Sequence, residues 1–460
     1  MTKITLEELV SLAKRRGFVF QGSELYGGLA GTYDYGPLGV LLKNNLRALW
    51  WKHFVSERDD VYGLDSAILM NARVWEASGH TGAGFADALV EDEVTHKRYR
   101  ADHLLEDNGV KDAAELTLKE LGAKIKELQL KSPDGNKLSD VRQFNLMFQT
   151  KVGPVEDSSN TAYLRPETAQ GMFVNFKNVL DSMHPRLPFG LAQAGKNFRN
   201  EITPRDFLFR VREFEIMELE YFISEKDWEE QFKAWRQVSY DWFKRIGLED
   251  GSVHELEVPE ADRAHYSKRT IDFEYAFNGI GTKEIGALAY RTDFDLSNHA
   301  EHSGQDLSYT DPITNEKFIP HVLEPTFGLD RHVLAVMSAG YEEEQVGDET
   351  RVVLKLKSEL APVKVAVSPL LRNKPELVKV AQEVYRTLKD EFGAVMYDDN
   401  GNIGKRYRRQ DEIGTPLCVT IDFDSLDGKD VTVRNRDTMK QDRVKIAALV
   451  DTIKQQLAGF

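Results

Sequence analysis

The sequence predicts an α/β protein of the mixed α+β kind, divided into more than one domain, and three observations point there. Its 460 residues are too many for one hydrophobic core and fit two or three domains. Residues 195–222, GKNFRNEITPRDFLFRVREFEIMELEYF, read as an antiparallel hairpin: AGKNFRNE and FRVREFEIMELEYF flank the turn-rich ITPRDFL. From about residue 361 onward the pattern changes to strands alternating with helices, as in βαβ units.

The opening MTKITLEELVSLAKRRGFVF has the spacing of a short amphipathic helix and lacks the apolar stretch and cleavage site of a signal peptide. No run approaches the ~18–20 apolar residues of a membrane span, so a cytoplasmic protein is expected. Gly36 and Pro37 open a helix on which Leu38, Leu41, Leu42, Leu46, Leu49 and Trp50 recur at helical spacing, and VYGLDSAILM after it looks extended. Residues 101–131 are charged and helical in pattern and end at the turn KSPDGNK. Beyond YEEEQVGDET the chain restarts at LAPVKVAVSPL, followed by a helix from Pro375 to Phe392, the strand AVMYDD, a further helix, and the strands PLCVTIDFD and VTVRNRD. A domain boundary falls near residue 360.

The formal net charge of −15 argues against a surface built for non-specific nucleic-acid binding, so any RNA contact must be local. The single cysteine, Cys418, excludes an intrachain disulfide and a thiolate zinc cluster, and its apolar surroundings predict a buried, inert thiol.

Period-two geometry sorts the hairpin. Arg199 and Glu201 share a face in the first arm; Arg210, Arg212, Phe214, Ile216, Glu218 and Glu220 share one in the second, and Phe209, Val211, Met217, Leu219 and Tyr221 fall mainly on the other. The apolar set is the core side. Guanidiniums, an aromatic ring and carboxylates in order along a strand suit a ligand with phosphates, a flat ring and an ammonium. A solvated face with cross-strand ion pairs explains the same pattern. In HVLEPTFGLDRHVLAVM, a strand ending at Gly328 puts Glu324 and Thr326 on one face and Arg331 in the first turn of the next helix. In YLRPETAQGMFVNF, Glu167 follows Pro166 at a helix start, where the helix dipole alone would also favour an acid.

Together these stretches resemble the signature motifs of class II aminoacyl-tRNA synthetases, and are most similar to the glycyl-tRNA synthetase family. RGFVFQGSELYGGLAGTYDYGPLG and the helix after it resemble the family's start and motif 1, YLRPETAQG its substrate loop, FRNE with FRVREFEIME motif 2, RTDFDL a later loop, and EPTFGLDR motif 3. GKRYRRQDEIGTPLCVT and VTVRNRDTM are similar to its anticodon-binding domain. The resemblance implies a catalytic domain at 1–360, an antiparallel sheet flanked by helices, with a helical insertion at about 80–160 and a second at about 223–290. An α/β anticodon-binding domain at 361–460 would follow.

It also implies roles. Arg199 would hold the ATP α-phosphate, Glu201 the adenine amino group, Phe214 would stack under the ring, and Arg331 would cover it while reaching the γ-phosphate. Arg199 and Arg331 are the implied catalytic residues. Arg210 and Arg212 would add phosphate or positioning contacts, and Glu284 would help hold Mg²⁺. Asn200, Phe209, Val211, Glu213, Ile285, Gly328, Leu329 and Asp330 complete the implied ATP site. Glycine would lie deeper, with Glu167, Glu218 and Glu324 around its ammonium, Arg291 near its carboxylate and Arg100 at the pocket edge. Phe214, Glu215, Ile216, Met217, Pro325, Thr326, Phe327 and Gly328 would surround it. Lys405, Arg406, Arg408 and Arg409 would contact tRNA, with Tyr407 available for stacking; a solvated basic helix end is the alternative explanation of that run.

Two departures stand out. The family usually has serine where this chain has Thr326, so a methyl is added beside a substrate with no side chain. Many relatives carry cysteine pairs where this chain has KSPDGNK, so no zinc is expected and His80, His96 and His103 read as ordinary surface or core histidines. The implied activity is glycine–tRNA ligation in two steps, adenylate formation from glycine and ATP and then transfer to the 3′ end of its tRNA. A synthetase-like ATP- or RNA-binding regulator and an adenylate-forming ligase with another acceptor are the alternatives. A homodimer is implied too, with the apolar stripe that includes Trp50 needing a partner.

Overall fold

The computed structural model describes residues 4–82, 85–113, 116–154, 160–264 and 266–460. Seven strands form the central sheet: Val61–Gly63 (β1), Phe189–Phe198 (β2), Glu213–Ile223 (β3), Val253–Glu257 (β4), Arg269–Phe277 (β5), Gly281–Thr292 (β6) and His321–Gly328 (β7). Their order is β4-β5-β6-β7-β3-β2-β1. Neighbours are antiparallel throughout, except that β1 runs parallel to β2 at one edge.

Helices Pro37–Trp51 (α1), Ala169–Met183 (α2), Trp228–Arg245 (α3), Phe294–Ser303 (α4) and Leu329–Gly340 (α5) cover the sheet. Alternation on β3 and β7 decides which layer each side chain enters. Met217, Leu219, Tyr221, Leu323 and Phe327 join the core shared with α1, α3 and α5, while Phe222 and Val322 pack with Phe173, Phe176 and Leu296 of α2 and α4. Much of the α1 stripe is consumed within one subunit: Leu42, Leu46 and Trp50 have no exposure, and Trp50 lies 5.3 Å from the Phe54 ring, whereas Leu41 stays exposed. Trp50 itself is therefore no argument for a second subunit.

Two stretches differ from the expectation. Within the region read as a helical insertion, helices Ala101–Asp107 and Leu118–Glu127 pack with a three-stranded sheet of Ala86–Glu91, Arg98–Arg100 and Arg142–Asn145, around a core of Val90, Leu105, Leu121 and Ile125. Residues 223–290 do not stand apart from the main sheet. They supply α3 and strands β4, β5 and β6, whose Ile271, Phe273 and Leu288 enter the main core.

The chain then makes a hairpin of Tyr341–Val346 and Glu349–Leu354 before entering a five-stranded mixed sheet. Val365–Pro369 lies between Val395–Tyr397 and Leu417–Ile421, parallel to both, and Asp430–Asn435 and Gln441–Lys445 extend it antiparallel. Helix Pro375–Phe392 packs on it through Leu377, Ala381, Val384 and Leu388. Cys418 is buried in the central strand, where burial pushes its thiol up to about 12.

Candidate active site

The β2–β3 hairpin sets the frame, with Asn197 opposite Phe214 and Gln193 opposite Glu218. Phe214, Ile216 and Glu218 line a cavity of about 370 Å³ on the face opposite the Met217–Tyr221 core. The alternation holds only within the strand. Arg210 and Arg212 precede β3, in a connection that folds back through a bridge between Arg205 and Arg210, so strand parity does not govern them. Arg210 still lines the cavity, 3.9 Å from the Glu201 carboxylate. Arg212 instead braces the connection, donating to the main-chain oxygens of Glu201 (3.0 Å) and Ala30 (2.8 Å).

At the outer end the Arg199 guanidinium lies between two rings, 5.5 Å from that of Phe214 and 5.6 Å from that of Phe85, and its Nε donates to the Pro166 carbonyl. Arg331 follows Gly328 in the first turn of α5 and stacks 4.3 Å over Phe209 while pairing with the Glu284 carboxylate at 2.9 Å. A Cβ on Gly328 would press against Arg331 Cδ at 3.2 Å, so a larger residue there would push on that side chain. Beside it Asp330 is buried and accepts from the Glu215 N–H (2.6 Å) and the Tyr35 hydroxyl, fixing the start of α5 to β3. Glu284 has acidic company: burial, with Glu284 and Glu274 adding to it, raises Asp272 of β5 to about 7.

The inner end is walled by carboxyls. Glu218 accepts from the Thr168 N–H (3.1 Å) and hydroxyl and from Thr326 Oγ1 (3.2 Å). Glu167 faces His80 Nε2 at 3.2 Å and accepts from Gln170 at 2.9 Å. Burial opposes its ionisation, but His80, Arg291 and Gln170 together hold it well below the usual carboxylate range. Glu324 goes the other way: burial first, with Glu218 and Glu167 adding to it against the pull of Arg291, pushes it up to about 8. Burial and the neighbouring Glu167 likewise raise Glu218.

Arg291 is placed differently from the expectation. It is 1 % exposed, with Nη1 on Glu324 (2.7 Å) and Nε and Nη2 on Asp295 (2.7 and 2.8 Å), so it neutralises protein carboxylates that burial would otherwise leave uncompensated. Arg100 is held by Asp87 and Asp102 and feels Glu201 and Arg210, at the outer end rather than beside the three glutamates. Glu213 turns to Lys196, and the Glu215 carboxylate to Lys43 and Arg47 on α1. Met217, Ile285, Phe327 and Leu329 are core residues, and Pro325 is buried between Glu324 and Thr326. Asn200 contributes a main-chain bond to Leu146. Val211 and Gly328 line the cavity.

The basic run in the second unit is only partly a surface. Arg406 is 2 % exposed and donates to the carbonyls of Pro369, Asp399 and Gly401, because three main-chain oxygens converge where its helix begins. Arg409 is paired with Asp398, and the Tyr407 ring is covered by Arg434 at 4.8 Å, so it is not open for stacking. Lys405 is exposed and Arg408 partly so.

Sequence reasoning missed several contributors. His80 is no ordinary core histidine, since it meets Glu167 with its Nδ1 held 2.8 Å from the Ser78 hydroxyl. Thr168, Gln170 and Asp295 lie inside the quoted motifs, and only their cross-sheet partners reveal what they do. Tyr266, 3.7 Å from the Arg291 guanidinium, comes from a segment with no periodic signal.

An antiparallel sheet presenting arginines, aromatic rings and a carboxyl-walled recess defines a class II aminoacyl-tRNA synthetase. Residues 148–340 match the family model of the tRNA synthetase class II core domain (G, H, P, S and T), and 364–456 match that of the anticodon binding domain. The chain is 48% identical over 462 residues to the glycine–tRNA ligase of Caldanaerobacter subterraneus subsp. tengcongensis and 49% over 463 residues to that of Geobacillus kaustophilus, with 99% of both chains covered in each comparison. It belongs to the glycine–tRNA ligase family. Among the described residues no helix is long and apolar enough to cross a membrane.

Proposed function

We propose that this chain is a cytoplasmic, homodimeric glycine–tRNA ligase that forms glycyl-adenylate from glycine and ATP and then passes the glycyl group to the 3′ end of its tRNA. The observation that carries the reading is one cavity with an arginine-and-ring end and a recess walled by Glu167, Glu218 and Glu324. Carboxylates suit an ammonium, and guanidiniums suit phosphates. In this reading Arg199 stabilises charge developing at the α-phosphate, Glu201 accepts from the adenine amino group, and Phe214 and Arg331 enclose the ring. No enzyme nucleophile is needed, because the glycine carboxylate attacks the α-phosphorus itself, breaking its bond to the bridging oxygen and releasing pyrophosphate. Rate then comes from in-line positioning and electrostatic stabilisation.

The donor set beside Arg331 fits a hard cation. Glu284 is only partly buried, and Asp272 beside it is raised first by burial and then by Glu284 and Glu274, so carboxylate oxygens stand close together there. Glu284, with Asp272, would hold the Mg²⁺ that accompanies ATP, which would offset negative charge on the phosphates. Glycine offers no side chain to grip, so selection rests on excluding anything larger. Thr326, tied to Glu218, and Tyr266, over Arg291, narrow the recess. For tRNA, Lys405 is the exposed member of the basic run that can meet a phosphate backbone, with Arg408 beside it partly exposed and 3.5 Å from Asp411.

ATP–pyrophosphate exchange tested across the amino acids decides the first step. Exchange supported by glycine alone is expected; exchange supported by another amino acid, or by none, would overturn the reading.

A further inference from the structure

Glu220 belongs to the same face of β3 as Glu218, one step deeper. It has no exposure, and neither carboxyl oxygen has a hydrogen-bond partner. Among the described residues, Arg291 is the cation that acts on it, and it is already committed. Arg291 donates to Glu324 and Asp295, the two threonines at Glu218 donate to Glu218, and the residue opposite Glu220 on β2 is Leu191. On the other flank, Thr326 of β7 pairs with Glu218 and Leu323 with Tyr221, which puts Glu324 across from Glu220. One oxygen each of Glu218, Glu220 and Glu324 lies within 4.8 Å of the others. Two charged carboxylates facing each other across a sheet repel, and a buried charge without a partner sheds it.

We infer that Glu220 is an uncharged carboxylic acid whose O–H supports Glu324 from beneath, directly or through one water, keeping Glu324 turned toward the amino group of the substrate. Burial, followed by the negative neighbour Glu324, raises the Glu220 carboxyl well above its ordinary value, in agreement with the geometry. Glu220 is a positioning residue in this scheme. It acts through Glu324. The inference rests on the glycine reading for the identity of the amino group, but the proton on Glu220 does not depend on it.

The test compares Glu220→Gln, which keeps a neutral donor of the same shape, with Glu220→Met, which fills the space without one. Infrared difference spectra at neutral pH should contain the carbonyl stretch of a protonated carboxylic acid that disappears in Glu220→Gln. In glycine-dependent pyrophosphate exchange, Glu220→Gln should keep the glycine KM within about twofold of the unmodified enzyme. Glu220→Met should raise it about tenfold, the scale of one hydrogen bond to a charged group, while the ATP KM stays put. A missing band, or a tenfold rise in glycine KM for Glu220→Gln, would show that Glu220 acts as a charge and would overturn the inference. An unchanged glycine KM in Glu220→Met would remove its positioning role. Should Glu220→Met fail to fold, Glu220→Gln and the band still decide the matter. An enzyme without glycine-dependent exchange would defeat the activity reading alone, leaving the band to judge the proton.

Discussion

Glu324 makes glycine binding a pH-dependent event. Burial, with Glu218 and Glu167 adding to it against the pull of Arg291, raises its carboxyl to about 8, whereas an ammonium favours the carboxylate, so proton uptake at Glu324 competes with glycine. Binding below about pH 8 must therefore release that proton, and affinity should fall by up to about tenfold per pH unit as the solution is made more acidic. Titration calorimetry at about pH 6.5 and about pH 8, in buffers of different ionisation heat, should show weaker binding and proton release at the lower value. A dissociation constant independent of pH would remove Glu324 from the ammonium site. The same shift acts on stability with the opposite convenience. Between the ordinary glutamate value and about 8 the folded chain binds more protons than the unfolded one, so this carboxyl's contribution to stability declines as pH rises through that window. Arg199→Ala has a different signature, because its guanidinium lies between two rings at the cavity and outside the core. It should abolish exchange activity while the thermal transition moves by no more than a few degrees, as for a substitution that leaves the core intact. Loss of both together would make Arg199 structural.

Elements differ in how far the sequence reveals them. From Phe214 to Tyr221 the alternation separates cavity from core because a strand has an exact geometric period of two. The same rule assigned Arg210 and Arg212 to that face, yet they lie in a connection where no period operates and where main-chain oxygens decide what a guanidinium meets. Helix Pro375–Phe392 is legible down to its ends, with Pro375 at its first position and Gly393 closing it. Insertions were harder: strands β4 to β6 join a sheet whose other members are distant in sequence, and local pattern does not register such pairing. The helix Ile403–Glu412 shows the limit most clearly, since spacing cannot tell the buried Arg406 from the exposed Lys405. Their replacements should separate accordingly. Arg406→Ala removes a buried cation bonded to three carbonyls and should lower the melting temperature clearly, each such bond contributing about 1.5–3 kcal/mol. The single replacement Lys405→Ala should leave melting and glycine-dependent exchange alone but reduce tRNA charging, most strongly at low salt. Unchanged charging across a salt series would make that helix face irrelevant to RNA.

The two folded units are joined by charge rather than by an apolar seam alone. Asp411 is fully buried on the helix of the second unit and accepts from Arg351 of the Tyr341–Leu354 hairpin (2.8 Å) and from both terminal nitrogens of Arg434 (2.8 and 3.1 Å). Arg351 also donates to the Arg436 carbonyl, and Arg436 returns the contact by donating to the carbonyls of Leu356 and Gly414, each at 2.9 Å. At the rim, Glu412 pairs with Arg15 and Arg16 at the end of helix Leu6–Arg15, so that helix is tied to the second unit. A junction of this kind couples the stability of its halves, because separating them would leave buried guanidiniums without a counter-charge. The intact protein should therefore melt in a single calorimetric transition. Asp411→Asn keeps the shape but removes the charge that Arg351 and Arg434 share, with Arg408 3.5 Å away on the same helix, and breaking a buried pair in this way costs about 3–5 kcal/mol. Its thermogram should show the second unit unfolding earlier, as a separate transition, with the catalytic unit melting after it. Asp411 lies outside the cavity, so glycine-dependent exchange measured well below the first transition should match the unmodified enzyme. A single transition at the original temperature in Asp411→Asn would mean that the two units are held by their remaining contacts, and that the buried network is incidental to their union.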